Sequence, residues 1–93
     1  MRFIYDLSKS ELNREKHGLS LEEATQLWRT PFVVIEARSV TEPRFMIVGR
    51  IGDKCYSGIF TIREDVIRLI SARRSRENEE ALYYEKIKED HEG

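Results

Sequence analysis

The chain has 93 residues, 40% hydrophobic and 10% aromatic. That suffices for one small domain with a modest core and excludes a full dinucleotide-binding fold, a barrel or a deep cleft between lobes. Charged residues make up 35%, yet 16 basic against 17 acidic side chains leave a net charge of only −1. The single cysteine, Cys55, excludes an internal disulfide framework and a cysteine-based zinc site. No run approaches the roughly 20 apolar residues of a membrane span. The opening stretch meets an acid at Asp6, too early for a secretory signal. One soluble cytoplasmic domain over residues 1–93 is the expectation.

In chain order, residues 2–6 read as a first strand with Phe3 and Tyr5 on one face. Ser8 and Glu11 have the spacing of a capping box, so a helix is expected from Lys9 to His17, closed by Gly18 as its left-handed residue. Ser20 and Glu23 repeat that spacing. Leu21, Ala24, Leu27 and Trp28 then fall on one helical stripe, and Thr30-Pro31 ends it. Two helices this short must pack on something. The strands that follow supply it: 32–38, then a loop over 39–43, then 44–51, a Gly52-Asp53 turn, 55–62, a turn at Arg63-Glu64-Asp65, and 66–73. Short connections make these an antiparallel meander. Ser75 caps a last helix with an apolar stripe at Tyr83, Tyr84 and Ile87, and residues 88–93, His91 included, read as a fraying tail. The string β-α-α-β-β-β-β-α predicts an α+β domain with its helices on one face of a mostly antiparallel sheet.

Charge is unevenly spread. Residues 1–49 balance to 0, residues 50–76 carry +4 and residues 77–93 carry −5. A basic segment beside an acidic tail suits a polyanion or a charged partner. No phosphate loop, dinucleotide fingerprint, zinc spacing or serine elbow is present, so no metal or cofactor is expected. Cys55 has no evident activating neighbour. Outside the tail, His17 is the only histidine, the residue type best suited to moving a proton near neutral pH, and Lys16 precedes it. Its bland reading is a helix-end histidine bonded to the last carbonyls. Arg50 ends a strand, Arg68 lies inside the last one, and Arg73-Arg74 close it. Strict alternation puts Arg68 and Arg74 on one face and Arg73 on the other. Glu64 is a weak candidate base that reads more simply as a turn acid. Tyr56, Phe60 and Phe45 have strand spacing and read as core rather than base-stacking platforms. Arginines converging on an open sheet face would hold phosphate. With a histidine they suit RNA cleavage without metal, in which a base takes the 2′-hydroxyl proton, cations hold the phosphorane charge and an acid protonates the 5′-oxygen.

The order Asp6, Asn13-Arg14-Glu15-Lys16-His17-Gly18, Leu21-Glu22-Glu23-Ala24 and Pro31 resembles the opening of BrnT proteins. Arg44-Phe45, Gly49 and Arg68-Leu69-Ile70-Ser71-Ala72-Arg73-Arg74 resemble the family's later elements. Tyr5 and Leu21 depart from it, standing where tryptophan and an aromatic are usual. The resemblance implies a RelE-like fold and a ribonuclease toxin of a type II toxin–antitoxin pair that arrests translation. It also implies a partner, a BrnA antitoxin with a ribbon-helix-helix domain, through which the complex reaches operator DNA. Lys16, His17, Arg68, Arg73 and Arg74 match motif positions. Catalysis is then expected from His17, Lys16, Arg50 and Arg73, and RNA binding from Arg68, Arg74, Arg63 and Arg76. Self-association is compatible with the sequence. A competing reading is a binding module without catalysis, in which the basic strand end grips a protein or nucleic acid; the near-neutral net charge favours it.

Overall fold

The computed structural model describes residues 2–39 and 41–92. In order the elements are β1 (Arg2–Ile4), α1 (Leu7–His17), α2 (Leu21–Ala24) running into a 3-10 segment (Thr25–Arg29), β2 (Phe32–Ala37), β3 (Arg44–Ile51), β4 (Lys54–Arg63), β5 (Val66–Arg74) and α3 (Glu77–Glu92). They build an α+β architecture on one five-stranded sheet of order β1-β5-β4-β3-β2. The strands β2 to β5 form the expected antiparallel meander, while β1 joins the far edge parallel to β5. No helix among the described residues is long and apolar enough to cross a membrane.

The first helix starts earlier than the sequence pattern predicts. Asp6, not Ser8, is its N-cap, accepting the Lys9 N–H at 3.0 Å. Both residue types cap well, but the aspartate comes first and adds a negative charge at the positive helix end. Gly18 closes the helix at φ 74°, its N–H donating to the Arg14 carbonyl at 2.8 Å. The helix buries Ser10 and Asn13 rather than an apolar stripe. Ser10 Oγ accepts the Leu21 N–H at 3.0 Å. Asn13 bridges two segments: Nδ2 donates to the Leu19 and Ala72 carbonyls, each at 2.7 Å, and Oδ1 accepts the Ala72 N–H at 3.2 Å. The α2 helix has the capping box expected of Ser20 and Glu23.

One face of the sheet carries α1, α2 and the 3-10 segment. Leu19, Leu21, Ala24, Leu27, Ile47, Phe60, Ile67, Leu69 and Ala72 make its core. Trp28 stacks edge-on between Phe3 and Phe60, with centroids 5.0 and 5.1 Å away. The chain can come this close at Gly49, where an added Cβ would lie 3.3 Å from Leu27 Cδ2. Phe60 is buried, and Tyr56 and Phe45 pack half-buried against the same core, as their spacing predicts.

The third helix is not on that face. It crosses the opposite side, with Tyr83 and Ile87 packed against Val33, Met46, Val48 and Cys55, and the Tyr83 hydroxyl donates to the Pro31 carbonyl at 3.2 Å. The hairpin already fills its own side, so the apolar stripe of α3 closes the remaining one. The helix runs through residues 88–92, which the sequence pattern leaves as a tail. The His91 side chain and Gly93 lie outside the described residues. Ser75 does not cap α3. Glu79 does so from inside, accepting the Arg76 N–H at 3.0 Å, as a glutamate at the third helical position can.

A bulge overturns the expected alternation in β5. Ile59 pairs with Ser71 but Phe60 pairs with Leu69, so Ile70 has no partner across the ladder. Before the bulge, Ile67 and Leu69 face the hairpin; after it, Ala72 and Arg74 do. Arg68, Ser71 and Arg73 therefore share the α3 side. Strict alternation would have grouped Arg68 with Arg74.

Candidate functional site

The ends of α1 and β5 come together at one end of the sheet. Lys9 lines a small groove with Arg68, Leu69 and Ile70, and Asn13 is bonded to Ala72, so α1 runs alongside β5 in the same direction. From Asn13 to His17 the helix advances about 6 Å. From Ala72 to Arg74 the strand advances about 6.6 Å. Lys16 and His17 thus draw level with Arg74 along the strand. All three are exposed, and Arg14, Lys16 and His17 together make the last helical turn basic. The Arg74 guanidinium carbon lies 5.8 Å from the centroid of the Tyr56 ring, its neighbour in the ladder. Among the described residues none forms a side-chain hydrogen bond or ion pair with Lys16, His17 or Arg74.

Arg73 turns the other way and is paired. Its Nη1 and Nη2 donate to Glu79 Oε1 and Oε2, each at 2.8 Å, and Nη1 also reaches the Arg74 carbonyl at 3.1 Å. Glu79 is 7% exposed and accepts further from the Ser57 hydroxyl at 2.8 Å and the Arg76 N–H at 3.0 Å. The Ser57 and Ser75 hydroxyls are 2.8 Å apart. The Arg73 guanidinium outweighs burial and holds the Glu79 carboxyl down at about 2, while the same pair pushes Arg73 up. This forked pair ties β5 to α3.

Arg50 lies at the same end of the sheet, across from Cys55 and on the α3 side. It is half-buried. Nη2 donates to the Gly52 carbonyl at 3.3 Å, and its buried Nε finds no partner among the described residues. Arg76 is exposed just before α3. Arg68 and Arg63 are elsewhere: Arg68 is six residues before Arg74, about 20 Å along the strand, and on the opposite face. Glu64 is exposed in the β4–β5 turn at φ 50°. Burial pushes the Cys55 thiol up, as befits a packed strand residue. Among the described residues no three His, Cys, Asp or Glu side chains gather where they would hold a metal ion.

The sequence motifs can now be sorted by what each residue does. Asp6 caps α1, Gly18 ends it, Asn13 clamps β5, Glu23 completes a capping box, Ala24 and Ala72 are core, Gly49 admits Leu27 and Arg73 binds Glu79. Lys16, His17, Arg68 and Arg74 are left without such a task. Asn13 and Glu79 escape sequence reasoning as key residues. The signal for Glu79 is its place at the third helical position; Asn13 offers only its position inside a helix that lacks an apolar stripe.

Comparison with curated proteins returns no match. A family model described as the ribonuclease toxin, BrnT, of type II toxin–antitoxin systems matches residues 5–79, from the end of β1 to the first turn of α3. With that span covering most of the chain, the protein belongs to the BrnT family of ribonuclease toxins.

Proposed function

We propose that this protein is an endoribonuclease that cleaves RNA without a bound metal at the end of the sheet where α1 and β5 finish together. The observation that carries this reading is that α1 ends in exposed Lys16 and His17 at about the level where β5 ends in exposed Arg74. His17 moves the proton. It takes it from the 2′-hydroxyl as the 2′-oxygen bonds to phosphorus, or supplies it to the 5′-oxygen as the P–O5′ bond breaks. Lys16 and Arg74 hold the charge that builds on the phosphorane, and Tyr56 orients the Arg74 guanidinium. Arg50 stands at the rim of the same end. Arg73 acts as a positioning residue, because its donors are occupied by Glu79.

Loss of messenger RNA stops translation in the cytoplasm, and a BrnA-like ribbon-helix-helix antitoxin neutralises the toxin. The element order and the hairpin over a meander support a RelE-like fold. The test is cleavage of a defined RNA by the purified chain in excess chelator. Removing a general acid–base group costs about 10²–10⁴ in rate. His17→Ala and Arg74→Ala should each cut cleavage at least a hundredfold while the far-ultraviolet spectrum and melting temperature stay put. Undiminished cleavage by both variants would sink the assignment. A folded wild-type chain that leaves RNA intact would instead favour the binding module.

A further inference from the structure

A second cationic surface lies at the opposite end of the α3 side, where that helix does not reach. The ladder sets two rows of side chains there: Arg2, Val66 and Arg63 across one, Ile4, Arg68 and Thr61 across the next. Adjacent positions in such rows are about 5 Å apart, so three arginines crowd one small patch. The loop before β3 walls it with Glu42 and Pro43, giving a groove of about 640 Å³. Among the described residues no carboxylate lies within 4 Å of Arg2, Arg63 or Arg68, Glu42 and Glu64 of the rim included. Like charges this close repel. The two rim glutamates leave the three arginines unpaired and in excess, so the complement comes from another molecule.

We infer that this groove receives an extended, acidic and amphipathic segment of the protein's antitoxin. Two features choose a peptide over a single RNA strand. No aromatic side chain lines the groove, whereas single-strand binding sites stack bases on aromatics. Apolar Ile4, 47% exposed, alternates with the arginines and offers nothing to a phosphate. The outer edge of β1 is also unpaired in the sheet, so a strand added there would lay alternate side chains over the two rows. The site is remote from His17, and the inference takes only the existence of an antitoxin from the toxin reading.

The experiment is fluorescence anisotropy on the purified full-length chain with three labelled probes: a nonapeptide alternating Glu and Val, the same peptide with Lys for Glu, and a uridine octamer. The acidic peptide is expected to bind at least tenfold tighter than the lysine one. The Arg2→Gln/Arg63→Gln/Arg68→Gln variant should lose at least tenfold of that affinity while binding the octamer within about threefold of wild type. Arg63→Gln alone, at an exposed strand end, should lose at least threefold and guards against misfolding of the triple variant. Equal binding of the two peptides, or an acidic peptide indifferent to the substitutions, overturns the inference. So does an octamer that loses tenfold in the triple variant, which would make the groove an RNA surface. Because binding is read and not cleavage, an inactive nuclease leaves the result intact, and a failed peptide leaves the nuclease reading intact.

Discussion

Under the hairpin, Leu21, Ala24, Leu27 and Ile47 have no solvent exposure at all. Under α3 the fully buried set shrinks to Val48, Cys55 and Tyr83. Each large aliphatic side chain taken fully out of water contributes about 1.5–3 kcal/mol, so the hairpin side is held mainly by apolar burial. The α3 side has too little of it and adds a forked ion pair and two serine hydroxyls. The polar clamp also decides chemistry. In the proposed chemistry Arg73 is enlisted to hold α3, while its neighbour Arg74 faces the hairpin side and carries the phosphate.

The sharpest way to break this contrast is to attack the hairpin side at the polar clamp between α1 and β5. Asn13→Ala leaves two carbonyls and an N–H unsatisfied in a buried place, at about 1–3 kcal/mol each before relaxation. A loss of about 4 kcal/mol is expected by urea unfolding. A loss below 1 kcal/mol would mean that other contacts, the Ser10–Leu21 bond among them, dock α1 without Asn13. On the other face, Glu79→Gln removes the charge and keeps the shape, with an expected loss of about 2 kcal/mol for a pair that is partly open to solvent. The double variant Arg73→Met/Glu79→Gln should recover part of that loss, since no charge is then stranded. An additive double variant would show that the two groups are not coupled.

Acid unfolding sharpens the same point. The Glu79 carboxyl is lowered from 4.5 to about 2. Its contribution is therefore complete above 4.5 and is lost as pH falls toward 2. Wild type should lose stability through that window, and Glu79→Gln should lose distinctly less; parallel curves would deny the pair its role. The smallest effect belongs to the β4–β5 turn. Glu64 and Asp65 both sit at positive φ, 50° and 66°, where asparagine and glycine are at ease. Glu64→Asn with Asp65→Gly should add about 1 kcal/mol, read as a higher denaturation midpoint. Remote from the end where α1 and β5 finish, it should leave cleavage unchanged.

Much of the fold was legible because it is written locally. The strand 44–51 reads directly from its run of β-branched and aromatic residues, and Ser20, Glu23 and Gly18 announce their caps. The first N-cap was misread because Asp6 and Ser8 offer competing caps within two residues. The side taken by α3 depends on which sheet face the hairpin leaves bare, which no local window records. The bulge at Ile70 is invisible to an argument that assumes period two, and with it went the correct partition of the arginines. In the candidate site, His17 and Lys16 were visible as a basic helix end. The role of Arg73 was hidden because its partner sits in a run of acids that reads as a solvated helix face.

Ile70 has a consequence that reaches beyond its own position. A residue that belongs to no rung of the ladder acts as a phase shifter: every side chain before it keeps one parity and every side chain after it takes the other. Taking it into the ladder, with every later residue slipped by one rung, would swap the two terminal arginines, setting Arg73 opposite Tyr56 and Arg74 opposite Cys55 on the α3 side. Two identical side chains in adjacent positions would exchange mechanical and chemical duties without any change in composition. In so small a domain, the counting of residues along one strand assigns work as surely as their identities do.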